Sequence, residues 1–169
     1  MQPTALPTGK FTCTLTLEAV RPPVFAREEE DGVTYLLGRN YELAYQTILR
    51  FDSGAELPIR ATLIGELNRQ VVLRDANGKP TGISGCTQGR CRISDADGNV
   101  IFEGTYYDSR VTQALDGDDA LTTIGSRVIE HLQNGFGLNV YAGHAFSLNG
   151  RLTREGGARP SGECNGYID

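Results

Sequence analysis

The sequence predicts a mainly β fold, a single antiparallel barrel of about eight strands with one amphipathic helix. Three observations carry that reading. Apolar and polar residues alternate in repeated short runs along the 169-residue chain. Tight-turn dipeptides and many of the 21 glycines separate those runs. Only one segment shows a helical period.

Residues 1–9 form a loose lead-in with two prolines. From Lys10 to Val20, Phe11, Cys13, Leu15, Leu17 and Ala19 share one face and Thr12, Thr14, Thr16 and Glu18 the other. Period two with threonine on the wet side marks a half-buried strand, and Arg21-Pro22-Pro23 stops it. Residues 24–32, with four consecutive carboxylates at Glu28–Asp31, read as a solvated loop tip. Val33–Leu37 is a short strand, and Gly38-Arg39-Asn40 a turn. Tyr41, Leu43, Tyr45, Thr47, Leu49 and Phe51 then align on the clearest strand face of the chain. Leu57, Ile59, Ala61 and Leu63 continue the alternation up to a turn at Gly65. Asn77-Gly78 and Asp97-Gly98 accept the positive φ of hairpin turns. Between them, the glycines of Gly82–Ile93 suggest a kinked or bulged strand of the kind barrel closure needs. Val100–Val111 reads as one long strand. The helix is placed at about 119–133: Leu121, Ile124, Val128, Ile129 and Leu132 form the stripe, aspartates precede it and Asn134-Gly135 ends it. Strand alternation returns from Gly137 to Leu152, and a glycine-rich loop leads to a terminal strand around Tyr167. No internal repeat or domain boundary interrupts residues 1–169.

Composition excludes several classes of partner. A net charge of −5 with scattered arginines gives no basic footprint for nucleic acid. No apolar run approaches the ~20 residues of a membrane helix. The opening Met-Gln-Pro-Thr-Ala-Leu-Pro has neither a basic start nor an apolar stretch, so the chain is expected to be soluble and cytoplasmic; a leader removed earlier would leave no trace. Cys86 and Cys91 are spaced so that they could close a short loop, but free thiols on strands are the expected state. Cys13 and Cys164 stand alone at opposite ends of the chain, which argues against a four-cysteine zinc site. An EF-hand alignment on Asp97-Gly98 places Ile93 and Gly104 at the first and last ligand positions, where oxygen donors are required. Gly135-Phe136-Gly137 follows a helix and so presents no helix N-terminus to a dinucleotide phosphate. No metal and no cofactor are expected.

Candidate chemistry concentrates in two places. His144 alternates in phase with Phe146 and Leu148, which points it inward as the best-placed proton carrier near neutral pH; His131 falls on the polar side of the helix. The segment Phe102–Arg110 is the densest polar-aromatic cluster. Glu103, Thr105 and Tyr107 share one face and Tyr106, Asp108 and Arg110 the other, and the pattern does not decide which lines the interior. Glu103, Tyr107 and His144 are the candidate catalytic groups. Tyr41, Tyr45, Tyr106, Asp108, Arg110 and Phe146 are the candidate ligand contacts.

Gly85–Ile93, then Gly98-Asn99-Val100-Ile101-Phe102-Glu103-Gly104-Thr105-Tyr106, then Gly135-Phe136-Gly137 through Tyr141-Ala142-Gly143 follow one another in a recognisable order. In these glycine positions the stretch Gly78–Gly150 resembles the core of allene oxide cyclase and dirigent-like barrels. The resemblance implies an eight-stranded barrel acting on a small hydrophobic molecule, often by cyclisation or stereocontrol without a cofactor. It carries over no catalytic residue, because no functional motif matches residue by residue. Three functions are therefore expected to compete. The first is a cofactor-independent cyclase, isomerase or lyase for a small hydrophobic or aromatic metabolite. The second is a non-catalytic, calycin-like small-ligand binder. The third is a filled structural barrel. A homo-oligomer is compatible with each.

Overall fold

The structure, a computed structural model, describes residues 5–21, 23–39, 41–108 and 111–169; the side chains of residues 66–68, 86, 87, 108, 111, 112 and 133 also lie outside that description. Among the described residues, eleven strands and one helix follow in the order β1 (Gly9–Arg21), β2 (Val24–Glu30), β3 (Val33–Arg39), β4 (Tyr41–Phe51), β5 (Glu56–Arg74), β6 (Pro80–Ser94), β7 (Val100–Asp108), β8 (Val111–Ala114), α1 (Leu121–Asn134), β9 (Gly135–Ala142), β10 (Phe146–Thr153) and β11 (Ser161–Ile168). Eight of them close on themselves in the circuit β1-β4-β5-β6-β7-β9-β10-β11, antiparallel at every step. Closure leaves those strands no free edge.

β5 and β6 are longer than the barrel is tall. Beyond it they pair from Asn68↔Thr87 to Arg74↔Pro80, and the β2–β3 hairpin joins β5 while β8 joins β6. The result is a five-stranded arm continuous with the barrel wall. Three sequence expectations change here. Gly65 is no turn but a bulge that lets β5 run on, because the register slips between Gly65 and Leu67. The acidic segment Glu28–Glu30 is strand, paired with Val33–Tyr35 and turning at Asp31, whose φ is +52°. The run expected at Val100–Val111 divides into β7 and β8, which pair with different halves of β6.

The two predicted hairpin turns share one device. Asp75 Oδ1 accepts the Asn77 and Lys79 amides, each at 2.9 Å. Asp95 Oδ1 accepts those of Asp97 and Asn99 at 3.0 and 2.9 Å. Each aspartate mimics the missing backbone acceptor of an Asx turn, and Gly78 and Gly98 supply the positive φ.

The glycines have a second use that the sequence reading did not assign. Directly across from Phe11 lies Gly166, and Gly38 opposes Phe25. Gly65 opposes Tyr41, and Gly89 opposes Tyr106. In each case a Cβ on the glycine would run into the aromatic ring. The ring lies down on the bare backbone of its cross-strand partner, as in aromatic rescue of strand glycines.

The interior therefore has two unlike ends. At one, Phe11 stacks on Phe146 at 5.9 Å and meets Phe51 edge-on at 5.5 Å, while Phe102 lies 5.0 Å from Phe146. The other end holds Tyr41 and Tyr106 in edge-to-face contact at 6.4 Å. Helix α1 packs there on β8, β2 and β9, burying Ile124, Val128 and Leu132 in the common core. It thus reaches both borders of the arm and the adjoining barrel wall. Its first turn is anchored by Asp119, whose carboxylate accepts Arg27 from β2 at 3.2 Å and Arg74 from β5 at 3.0 Å. Asp118 accepts the Ala120 amide at 2.9 Å and the Thr123 hydroxyl at 2.7 Å. The expected acidic helix start is thus realised through contacts to the arm and the turn. The residue at the N-cap itself is Ala120.

Candidate functional site

Several polar groups are buried in the interior. Tyr41 and Tyr45 on β4 are fully buried, as are Tyr106 on β7 and Gln70 on β5; Ser84 on β6 is 6% exposed. The hydroxyls of the three tyrosines and the Gln70 Oε1 are all inaccessible to solvent. Local structure explains their placement. The glycines opposite Tyr41 and Tyr106 free the space their rings occupy, and the bulge after Gly65 resets the phase of β5 so that Gln70 and Val72 are buried. Leu36, Ile83 and Leu115 complete the wall, with α1 above. Chemically these are neutral donors and acceptors closed off from solvent.

The candidate residues divide cleanly between inside and outside. Tyr41, Tyr45, Tyr106 and Phe146 all face the interior, but Phe146 belongs to the opposite, phenylalanine end. The undecided face of Phe102–Arg110 is resolved by burial: Tyr106 is inside, while Glu103, Thr105 and Tyr107 are exposed. Glu103 meets Arg92 across the β6–β7 ladder at 3.2 Å as an exposed ion pair. Of the candidate catalytic groups, Glu103 and Tyr107 therefore lie on the outer face of β7. His144 is also outside, because alternation stops one residue after Ala142. Gly143 takes φ +62° and His144 sits exposed in the β9–β10 turn. The side chain of Asp108 and the whole of Arg110 lie outside the described residues.

His131, expected at the surface, is half-buried in the last turn of α1 with its ring 6.0 Å from Phe136. Among the described residues its Nε2 is buried without a hydrogen-bond partner. Desolvation holds the imidazole below its ordinary 6.5. The folded chain thus keeps His131 neutral, whereas the unfolded chain protonates it at the ordinary value. The unfolded state binds more protons, so this contribution is complete above about pH 6.5 and is lost as pH falls toward the depressed folded value. Tm is expected to drop on acidification from about pH 7 to pH 5, and His131→Gln to flatten that slope. An identical slope in wild type and variant would assign the acid sensitivity to other groups.

Gln70 and the glycine partners of the tyrosines were missed from sequence. Gln70 sits beyond a bulge that alternation does not reveal. The Gly65 and Gly89 signals were visible but read as turn and kink.

Among the described residues, no cluster of three or more His, Cys, Asp or Glu is arranged to hold a metal ion, and no helix is long and apolar enough to cross a membrane. Compared with models of protein families, with curated proteins and with solved structures, the chain matches none.

Proposed function

We propose that the chain is a non-catalytic, small-molecule-binding barrel. It takes a hydrophobic or aromatic ligand carrying a hydrogen-bonding group at its tyrosine end, beneath helix α1. One observation carries this reading: Tyr41, Tyr45, Tyr106 and Gln70 are all fully buried, with Tyr41 and Tyr106 in edge-to-face contact. Tyrosine and glutamine carry hydrogen-bonding groups into an interior that leucine, isoleucine and phenylalanine would fill as well. The phenylalanine end is filled in just that way. Helix α1, which packs on β2, β8 and β9 and is tethered through Asp119, covers the ligand in this reading.

A cofactor-independent cyclase, isomerase or lyase is the second reading. A closed eight-stranded barrel is the architecture an allene oxide cyclase or dirigent-like chain would share. Buried tyrosine hydroxyls would be its proton donors. Binding is preferred because the acid–base groups Glu103, Tyr107 and His144 face solvent.

Native mass spectrometry of protein purified without denaturant tests the two together, supplemented by titration with planar phenols and medium-chain fatty acids. A bound small molecule recovered unchanged supports binding. Conversion of an added compound without cofactor would move the assignment to catalysis. A chain that carries no small molecule and is not stabilised by any probe would leave the filled structural barrel.

A further inference from the structure

We propose that Cys13 and Cys164 form a reversible disulfide that staples the first strand of the barrel to the last. The two residues stand 151 positions apart in sequence, yet they are direct partners in the β1–β11 ladder. Both are buried on the interior side, at 6% and 2% exposure. Directly opposed residues on antiparallel strands have Cα atoms about 4.5–5.5 Å apart, inside the range of about 4.4–6.8 Å that a disulfide spans. Both are free thiols, and the Cys164 thiol donates to the Gly162 carbonyl oxygen at 3.8 Å. On the other flank Cys164 packs on Gly150, its β10 partner.

The alternative pairing suggested by spacing is ruled out by geometry. Cys86 and Cys91 lie on one continuous strand, opposite Arg69 and Leu63 of β5. Five extended residues separate their Cα atoms by about 16 Å, more than twice the reach of a disulfide. Cys91 faces Leu63 and Gly104 across its two ladders, and burial pushes its thiol up to about 11.

The contact also sets the order of events. The adjoining Cys13 side chain lowers the Cys164 pKa against the opposing effect of burial, so Cys164 is the attacking sulfur in this proposal. With oxidised glutathione as oxidant, Cys164 displaces one glutathione thiolate to give a mixed disulfide. Cys13 then loses its proton and attacks the Cys164 sulfur, and the second glutathione leaves. One glutathione disulfide is consumed, two glutathione thiols appear, and the protein loses two hydrogens. The oxidant gains access when the terminal strands part or before they pair during folding.

The test is to refold the full chain from urea in oxidised glutathione, alkylate the remaining thiols and map the peptides by mass spectrometry. The expected result is a Cys13–Cys164 linked peptide, alkylated Cys86 and Cys91, and a Tm raised by about 5–15 °C that reverts on adding dithiothreitol. Alkylation of all four cysteines, stable glutathione adducts on Cys13 or Cys164, or a link to another cysteine would overturn the proposal. Cys13→Ser treated in the same way should show no link and no dithiothreitol-sensitive gain in Tm; an equal gain in that variant would also overturn it.

Discussion

Replacing Phe146 with alanine is expected to lower stability by roughly 3–5 kcal/mol, among the largest effects of any single core truncation in this chain. Phe146 is fully buried and touches two other rings, Phe11 and Phe102, while Phe11 in turn contacts Phe51. Phe146 on β10 touches rings on β1 and β7, and no two of these three strands pair with each other in the sheet. Its loss removes buried area and leaves a cavity that stiff strands cannot collapse to fill. Urea unfolding would show the midpoint falling with an unchanged slope. A loss below about 1 kcal/mol would mean that the phenylalanine end is not the packed base described above.

Gly104→Val is expected to be at least as damaging, with a loss above about 3 kcal/mol or failure to accumulate as folded protein. A Cβ at this position would collide with the Tyr141 carbonyl oxygen and lie 2.7 Å from the Ala142 Cα. Backbone atoms cannot rotate away as a side chain can, so β7 would have to part from β9, and that pairing is one of the eight that close the barrel. Gly125→Ala is the matched control. Gly125 lies within α1 with nothing near the position of an added Cβ, so alanine there is expected to stabilise by about 0.5–1 kcal/mol. Equal losses in the two variants would show that close backbone approach is not what Gly104 provides.

Much of this architecture was legible in the chain, and the reasons are local. Alternation in Phe11–Leu17 and Tyr41–Phe51 exposes a buried face directly, and both Asx-Gly turns form where their dipeptides stand. The helix ends at Gly135 as its stop signal indicates. What sequence could not show depends on pairing. Gly65 looks like a turn until Tyr41 is known to lie across from it, and Cys13 and Cys164 look solitary until β1 meets β11. His144 misled because a period of two was carried past Ala142 into a turn, where alternation has no meaning. His131 misled in the opposite sense: helical period places it beside the polar residues, but β9 turns back and sets Phe136 against it.

Under the proposed function the ligand meets the buried tyrosines and not the exposed Glu103, Tyr107 and His144. The most direct measurement compares the small molecule retained through native purification by two variants. In the inner variant, Tyr41, Tyr45 and Tyr106 become phenylalanine; in the outer one, Glu103→Gln, Tyr107→Phe and His144→Ala are combined. Removing one hydrogen bond to a ligand weakens binding by about 3- to 10-fold, so the inner variant should lose most of the bound compound while the outer variant retains it at the wild-type level. Retention by the inner variant with loss from the outer one would contradict the account and return the site to the barrel's exterior.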